Sequence, residues 1–323
     1  MDVVYFSSDL FSSVTGTSIV SLLENNKNVD SIRIFYIDDG ISVEKRNQTI
    51  SIVKSYGREI IFITAPTIDE LFDFKFNSRY QLGHSYMRMG LGTILPKDID
   101  KVLCLDSDTL VMGSLKELWN LDMGENILAG VSDCINVKAY SKKFLLAAND
   151  IYCNAGIFLI NLKEWRRNEI EKKIRQVIRA QNGNVFFVEQ TLMSSVCRGK
   201  ILKLKPNYNC YTSMYCFSYK NVIRWRRPIN YYTENEISDA KLNPIVVHFT
   251  RNFYMSSRPW VEGCEHPMKD VYRKYMLMTP WKDLWKNDMT IKKKLTKKLL
   301  HILPEWMLAY VIYIPYNVVR PNM

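Results

Sequence analysis

Several hallmarks of familiar protein classes are missing from this sequence of 323 residues. Its seven cysteines contain no Cys-x-x-Cys pair, and their odd number and scattered spacing argue against both a zinc site and a disulfide framework. The opening stretch, 1–6, reads as a strand and shows no basic, apolar leader of a secretory signal. No internal repeat, low-complexity tract or Gly/Ser linker precedes residue 280. We therefore expect one globular, cytoplasmic body with reduced cysteines.

Long apolar runs are also missing. The strongest one, 306–314, is bounded by Pro304 and Pro315 and has about ten residues, against the ~20 that a spanning helix requires. Just before it, Ile291, Leu295, Leu299, Ile302 and Leu303 recur at helical spacing. The opposite face of that predicted helix carries Lys292, Lys293, Lys294, Lys297 and Lys298. This pattern is typical of a basic amphipathic helix at a membrane interface, although a helix packed on the body with a solvated lysine face would look the same.

The net charge of +11 is concentrated toward the end of the chain. From residue 282 onward there are eight Lys/Arg against three Asp/Glu. Such asymmetry predicts an anionic partner for the tail and argues against a nucleic-acid-binding body. We accordingly divide the chain into a globular body, 1–281, and a membrane-associating tail, 282–323, whose contact with an anionic membrane surface runs through 289–314. The expected location is the inner face of the cell membrane.

Short apolar stretches alternate with amphipathic ones along the body. Strands are predicted at 3–6, 31–37, 59–64, 126–132, 157–160 and 245–249, and helices at 17–25, 42–56, 114–120, 161–178 and 188–196. This alternation predicts an α/β fold with βαβ units and a largely parallel sheet. Ligands of such sheets bind beyond the carboxyl ends of the strands, where Asp9, Asp38, Asp106 and Asp108 are expected.

The most informative stretch is 101–111, an apolar run that carries Asp106 and Asp108 at its far end. If the strand continues through them, alternate residues share a face and the two carboxylates point the same way. Paired carboxylates of this kind suit Mg²⁺ or Mn²⁺, although a solvated turn is the simpler explanation of the doublet alone. His248, at the end of a late strand, would complete a mixed nitrogen and oxygen site that favours Mn²⁺. Arg258 would add a planar fork for phosphate oxygens.

Seven motifs in order complete the picture. They are 7–11 (SSDLF), 21–26 (SLLENN), 86–89 (YMRM), 101–111 (KVLCLDSDTLV), 152–162 (YCNAGIFLINL), 189–192 (EQTL) and 248–260 (HFT…RPW). With them the chain resembles the family 8 retaining glycosyltransferases over about residues 1–281. That family has the GT-A fold, a Rossmann-like, mostly parallel sheet flanked by helices, and includes bacterial lipopolysaccharide galactosyl- and glucosyltransferases and glycogenin.

The resemblance implies roles for particular residues. Asp106, Asp108 and His248 would bind Mn²⁺, with Mg²⁺ as the alternative, in the family's Asp-x-Asp motif, here Asp106-Ser107-Asp108. The UDP-sugar donor would be held by the positions that match the family's donor-binding residues: Ser8, Asp9, Phe11, Arg88, Asp133, Asn154, Ala155, Gln190, Arg251 and Arg258. The donor would be UDP-glucose or UDP-galactose, and the acceptor an oligosaccharide or lipid-linked glycan of bacterial surface polysaccharide or lipopolysaccharide.

The chain departs from the family pattern at several of these positions. Ser8 replaces a carboxylate, Phe11 replaces a tyrosine that stacks on uracil, and Arg258 stands where a lysine contacts the diphosphate. Arg251 replaces a glycine, and it would either add charge to the phosphates or turn outward.

For the reaction, the resemblance implies front-face attack with Gln190 near the reacting face and with Asp133 and Arg88 around the sugar. Glu189 is the second choice, as a carboxylate nucleophile, and helix N-terminal support explains it equally well. A sugar-1-phosphate nucleotidyltransferase also has paired aspartates, but 7–17 contains only Gly16 and lacks that class's glycine-rich loop. A non-catalytic peripheral membrane protein with a vestigial site is the third possibility.

Overall fold

The computed structural model describes residues 1–73, 84–283, 300 and 302–322. The strands in these ranges are β1 (Asp2–Ser8), β2 (Arg33–Asp39), β3 (Glu59–Thr64), β4 (Lys101–Leu105), β5 (Thr109–Val111), β6 (Leu128–Ser132), β7 (Cys153–Asn161), β8 (Ile201–Lys203), β9 (Cys210–Tyr211) and β10 (Val246–His248). The α-helices are α1 (Ser12–Asn25), α2 (Val43–Ser55), α3 (Ile68–Phe72), α4 (Leu91–Ile94), α5 (Lys116–Trp119), α6 (Ser141–Phe144), α7 (Leu162–Arg167), α8 (Ile170–Ala180), α9 (Val188–Val196), α10 (Ser213–Cys216), α11 (Tyr219–Arg226), α12 (Glu234–Leu242), α13 (Lys269–Met276) and α14 (Glu305–Ile314), followed by Arg320–Asn322. Short 3₁₀ turns lie at Asp9–Phe11, His84–Gly90 and Pro206–Tyr208, and a π-helical turn at Pro315–Val319.

The central sheet has seven strands in the order β3-β2-β1-β4-β7-β6-β8. Strand β1 runs parallel to β2 and β4, β2 is parallel to β3, and β6 is parallel to β8. Only β7 runs against its neighbours, β4 and β6. Helices cover both faces, so the predicted α/β fold with a mostly parallel sheet is confirmed. A smaller sheet, in the order β5-β10-β9, places the end of β10 beside the start of β5.

The strands of the central sheet are buried on both faces, which is why they read as continuous apolar runs in the sequence. In β1, Val3 and Tyr5 pack into one hydrophobic core, while Val4 and Phe6 pack into the other. The predicted buried positions of Cys104 and Cys153 are confirmed, and all seven cysteines are free thiols.

Two predicted elements differ from the structure. The expected helix 161–178 is interrupted between α7 and α8, because Glu169 adopts a left-handed conformation with φ of 50°. This break redirects the chain so that both Trp165 and Ile170 reach the core. The expected single strand 101–111 is also interrupted. Residues 106–108 form a turn, in which the amide of Thr109 donates to the carbonyl of Asp106 at 3.2 Å.

The C-terminal helix α14 packs against α11. Leu308, Ala309 and Ile312 are buried in the larger core, and Glu305 accepts a hydrogen bond from the amide of Ser218 at 2.6 Å. The lysines at 292–298 of the predicted basic helix, with Ile291, Leu295 and Leu299, lie outside the described residues. Within the described ranges, no helix is both long enough and apolar enough to cross a bilayer.

Candidate active site

The side chains of two aspartates and one histidine converge where β4, β5 and β10 meet. Asp106 and Asp108 stand on the turn between β4 and β5, and His248 ends β10, which pairs with β5. One ligand atom from each of the three lies within 4.8 Å of the others. The carboxylates therefore converge as predicted, but a turn brings them together, not strand alternation.

Short contacts tie the imidazole to both carboxylates. His248 Nε2 lies 3.2 Å from Asp108 Oδ1 and 3.5 Å from Asp106 Oδ2. Burial alone would lower the pKa of His248, but the two carboxylates raise it above its ordinary value. For Asp108, burial opposes ionisation, yet His248 and Arg258 lower the pKa of its carboxyl. Two carboxylates and an imidazole form a donor set that suits a divalent cation.

The antiparallel strand β7 delivers Asn154 to this cluster. Because β7 runs against β4, its first residues lie at the edge where β4 ends. Asn154 Nδ2 donates to Asp133 Oδ2 at 3.1 Å, which fixes the amide orientation. Its Oδ1 then faces His248 Nδ1 at 3.0 Å. An oxygen cannot donate, so Nδ1 carries the proton, and in the neutral imidazole the lone pair of Nε2 faces the carboxylates.

Asn154 Oδ1 also accepts hydrogen bonds from Asn209 Nδ2 at 2.9 Å and from the Gly156 amide at 3.2 Å. Gly156 is required here by close approach, because a Cβ at this position would lie 2.2 Å from His248 Nδ1.

Arg88 lies buried beneath the turn. Its guanidinium donates to the carboxylate of Asp106 and, at 2.6 Å, to the carbonyl of Ala155. Burial by itself would lower the pKa of Arg88, but the charge of Asp106 raises it, so the guanidinium stays charged. Arg88 thus fixes the orientation of Asp106 and connects it to β7.

The side of the site that is predicted to hold the sugar consists of Asp133 and the start of α9. Gln190 Nε2 donates to Asp133 Oδ2 at 2.9 Å, the oxygen that Asn154 also contacts. Glu189, in the first turn of the same helix, is partly buried and its charge raises the pKa of both Tyr86 and Arg88. The predicted residues Asp133, Asn154, Ala155 and Gln190 are thus brought together.

The opposite side of the turn carries the residues predicted to contact the nucleotide. Arg258 Nη2 lies 3.7 Å from Asp108 Oδ2, and its guanidinium lies over the rings of Phe11 and Trp260 at 5.8 and 5.4 Å. Ser107 Oγ donates to the carbonyl of Phe6 at 2.8 Å. Arg251 is exposed, which matches the outward alternative for this residue.

Asp9 and Ser8 lie at the end of β1. Asp9 pairs with Lys45 at 2.7 Å and accepts the Ser42 amide at 2.9 Å, and these contacts lower the pKa of its carboxyl to about 2. Ser8 is half-buried and pairs in register with Asp39 of β2.

Sequence reasoning missed two contributors to this site. Asn209 holds Asn154 from the loop before β9, and no local pattern distinguishes it from other loop asparagines. Lys45 lies on the first turns of α2, where a lysine normally reads as a solvated face, yet it neutralises Asp9. Only the packing of α2 against the end of β1 reveals its role.

Comparison with known proteins identifies the family. The chain matches glycosyl transferase family 8 over residues 2–263 and belongs to that family. It is 23% identical to general stress protein A of Bacillus subtilis over 284 residues, covering 87% of this chain and 94% of that protein. It is 22% identical to lipopolysaccharide 1,2-glucosyltransferase of Escherichia coli K12 over 290 residues, covering 89% and 81% of the two chains.

Solved structures share the fold. Galactosyltransferase LgtC, in complex with donor and acceptor sugar analogues, superimposes with a TM-score of 0.70 at 23% identity, covering 92% of this chain and all of that one (100%). Glycosyltransferase GlyE of Streptococcus pneumoniae gives a TM-score of 0.60 at 20% identity, covering 93% and 64%. The chain is therefore a glycosyltransferase with the GT-A fold. Enzymes of this family are metal-dependent and use a nucleotide-sugar donor.

Proposed function

We propose that this enzyme transfers a hexose, with retention of configuration, from a UDP-sugar to a glycan acceptor. UDP-glucose and UDP-galactose are the favoured donors, and bacterial surface polysaccharide or lipopolysaccharide is the favoured product. The observation that carries the proposal is the convergence of Asp106, Asp108 and His248 beside Arg258. Family membership and the lipopolysaccharide glycosyltransferase relatives support the class of product.

The donor set fits Mn²⁺, with Mg²⁺ as the alternative, and Asp106, Asp108 and His248 would hold it. When bound, the cation would supply a Lewis acid that offsets the charge of the diphosphate leaving group. Arg258 would bind phosphate oxygens through its planar fork, and Asp9, Ser8 and Phe11 would contact the nucleoside.

On the sugar side, Asp133, Asn154 and Gln190 form one hydrogen-bonded group that can orient the hexose hydroxyls. Gln190 is an amide and is engaged with Asp133, so it does not provide a carboxylate nucleophile. We therefore favour front-face attack, in which the leaving phosphate oxygen takes the acceptor proton. Glu189 remains the alternative nucleophile.

The test is donor hydrolysis, which needs no acceptor. Incubating the full chain with single UDP-hexoses and Mn²⁺ should release UDP slowly, and chelation should abolish the release. Asp108→Asn should lose this activity at unchanged thermal stability, whereas Asp98→Asn, which removes an exposed charge elsewhere, should not. Release of pyrophosphate from UTP and a hexose 1-phosphate, supplied in a parallel assay, would indicate a nucleotidyltransferase instead. UDP binding without any turnover would indicate a vestigial site.

We also propose that the tail, 282–323, associates with an anionic membrane surface. Support comes from its lysines and from the outer side of α14, where Trp306 and Tyr310 are each 52% exposed. Because α14 packs on the body, truncation would disturb the fold. Replacing the five lysines at 292–298 by glutamine is the cleaner test. The variant should bind phosphatidylglycerol vesicles more weakly while hydrolysing UDP-hexose normally. Unchanged vesicle binding would refute this assignment.

A further inference from the structure

A group of cationic side chains lies around α11 and the C-terminal segment, with no carboxylate partner among the described residues. We call it the basic–aromatic cluster, and its cations are Lys143, Arg224, Arg226, Arg227 and Arg320. Among the residues that the structure describes, none of the five lies within ion-pair distance of an acidic group. Each lies over an aromatic ring instead, so their positive charges are not neutralised locally.

The cluster is built between α11 and the C-terminal segment. Arg224 lies over Tyr310 at 5.0 Å and Arg227 lies over Tyr313 at 4.6 Å. Together with Arg226 over Tyr316 at 4.8 Å, these contacts follow tyrosines spaced three apart along the segment. The segment is thereby fixed along the end of α11.

One of the cations, Arg320, lies against the start of α9, the helix that carries Gln190. The guanidinium of Arg320 lies 4.7 Å from the ring of Phe187 and 5.6 Å from the ring of Tyr316. Phe187 caps α9, and its carbonyl accepts the amide of Gln190 at 3.0 Å. Since Arg226 lies over the same Tyr316 ring, Arg226 and Arg320 are neighbours.

Arg226 also acts on the residue that follows Asp133. Burial raises the pKa of the Cys134 thiol to about 11, and the charge of Arg226 opposes that rise. The backbone of Arg320 is held from the other side, because Lys143 Nζ donates to its carbonyl at 3.2 Å. Rings and backbone contacts thus hold the two guanidinium groups near Phe187 and Cys134, which precede Gln190 and follow Asp133 in the chain.

A donor diphosphate does not account for these charges, because Arg258 at Asp108 serves that group in the proposed function. We propose that Arg226 and Arg320 form a subsite for a phosphate group on the acceptor glycan, close to its reacting hydroxyl. Guanidinium forks bind phosphate oxygens in pairs, and the surrounding rings offer faces for sugar. This inference rests on the proposed function, since it assigns the acceptor of that reaction.

The test compares a phosphorylated sugar with its neutral counterpart. Binding of glucose 6-phosphate and of glucose to the full chain is measured by calorimetry, with Mg²⁺ and UDP occupying the donor side. Wild type should prefer the phosphorylated sugar, and its affinity should fall with rising salt concentration. Arg226→Gln/Arg320→Gln should bind glucose 6-phosphate at least about tenfold more weakly, with glucose affinity unchanged.

Arg224→Gln is the matched control, because it removes a similar ring-stacked arginine further from Phe187, and it should change the affinity less than twofold. The double variant Arg226→Lys/Arg320→Lys keeps both charges and should retain most of the preference for glucose 6-phosphate over glucose. If the glutamine variant does not fold, the lysine variant tests the proposal in its place. The proposal is overturned if wild type binds the two sugars equally, or if Arg224→Gln loses as much affinity as the double variant. It is also overturned if the double variant loses only vesicle binding, which would make the cluster a membrane contact. UDP binding and hydrolysis are measured separately, so their absence would reject the proposed function without deciding the glucose 6-phosphate result.

Discussion

Replacing Asn154 by alanine should weaken metal binding although Asn154 is not a metal ligand in this arrangement. Its amide is oriented by Asp133 and places Oδ1 at 3.0 Å from His248 Nδ1. This contact keeps the proton on Nδ1 and leaves the lone pair of Nε2 free toward Asp106 and Asp108. Without it, His248 can carry its proton on Nε2 or rotate, and the imidazole is then lost as a ligand for part of the time.

Loss of such an orienting partner typically costs about 10–100-fold in metal affinity, equivalent to roughly 1.4–2.7 kcal/mol. The assay is titration of Mn²⁺ in the presence of UDP, with the free aquo ion followed by electron paramagnetic resonance. A thermal melt of each variant shows whether the fold is intact. The readout is binding, so it does not depend on finding the correct acceptor.

Asn161→Ala provides the matched control. Asn161 lies at the other end of β7 and accepts the amide of Glu164 at 3.1 Å as the N-cap of α7. Its loss should reduce stability by about 1 kcal/mol and leave metal affinity unchanged. If Asn154→Ala remains folded and binds Mn²⁺ within twofold of wild type, the account of the His248 tautomer is wrong.

Three further predictions test other parts of the structure. Gly156→Ala should reduce Mn²⁺ affinity at least about tenfold, because the new Cβ would lie 2.2 Å from His248 Nδ1 and displace the ring. Gly113→Ala is the comparison, because its Cβ would meet Ile245 at an ordinary contact distance of 3.5 Å, and equal metal affinity in the two variants would contradict the close approach. Leu308→Ala should destabilise the protein by about 2–4 kcal/mol in urea unfolding, because Leu308 is fully buried. Val311→Ala, on the exposed side of α14, should change stability by less than about 0.5 kcal/mol. Equal effects would mean that α14 is not part of the core. His266 is buried, and burial lowers its pKa to about 4, so the folded protein binds fewer protons there than the unfolded chain and loses stability as the pH falls from about 6.5 toward about 4. This loss of roughly 3 kcal/mol should disappear in His266→Asn, which keeps an acceptor for the Met268 amide. Unfolding curves with the same pH slope for both proteins would refute the assignment.

The sequence was most informative where one physical rule dominated. Strand β3 and helix α9 have the predicted bounds, because apolar runs and amphipathic periodicity decided them without competition. The expected helix 161–178 was wrong because periodicity does not register a single left-handed residue, here Glu169. The turn at 106–108 was missed for a related reason: β5 continues the apolar pattern of β4 but pairs with a different sheet.

The residues of the candidate site likewise divide into those that the sequence predicts and those that it does not. Asp106, Asp108 and His248 could be predicted as one group because the family resemblance connected them, although a solvated turn explains the doublet alone more simply. Asn209 and Lys45 could not, since their roles arise only when distant segments pack against Asn154 and Asp9. No local sequence pattern carries that information.

The candidate site is assembled from distant segments of the chain, and this has a consequence for how the protein folds. The candidate metal-binding group needs residues from the β4–β5 turn, its supporting amide comes from β7, and its imidazole comes from β10, much later in the chain. Contacts of such wide separation in sequence close large loops, and chains dominated by them fold slowly. During synthesis from the N-terminus, the paired carboxylates emerge well before His248 can join them. We therefore expect the site to form among the last parts of the fold, so that metal and nucleotide bind only to molecules in which β10 is already in place.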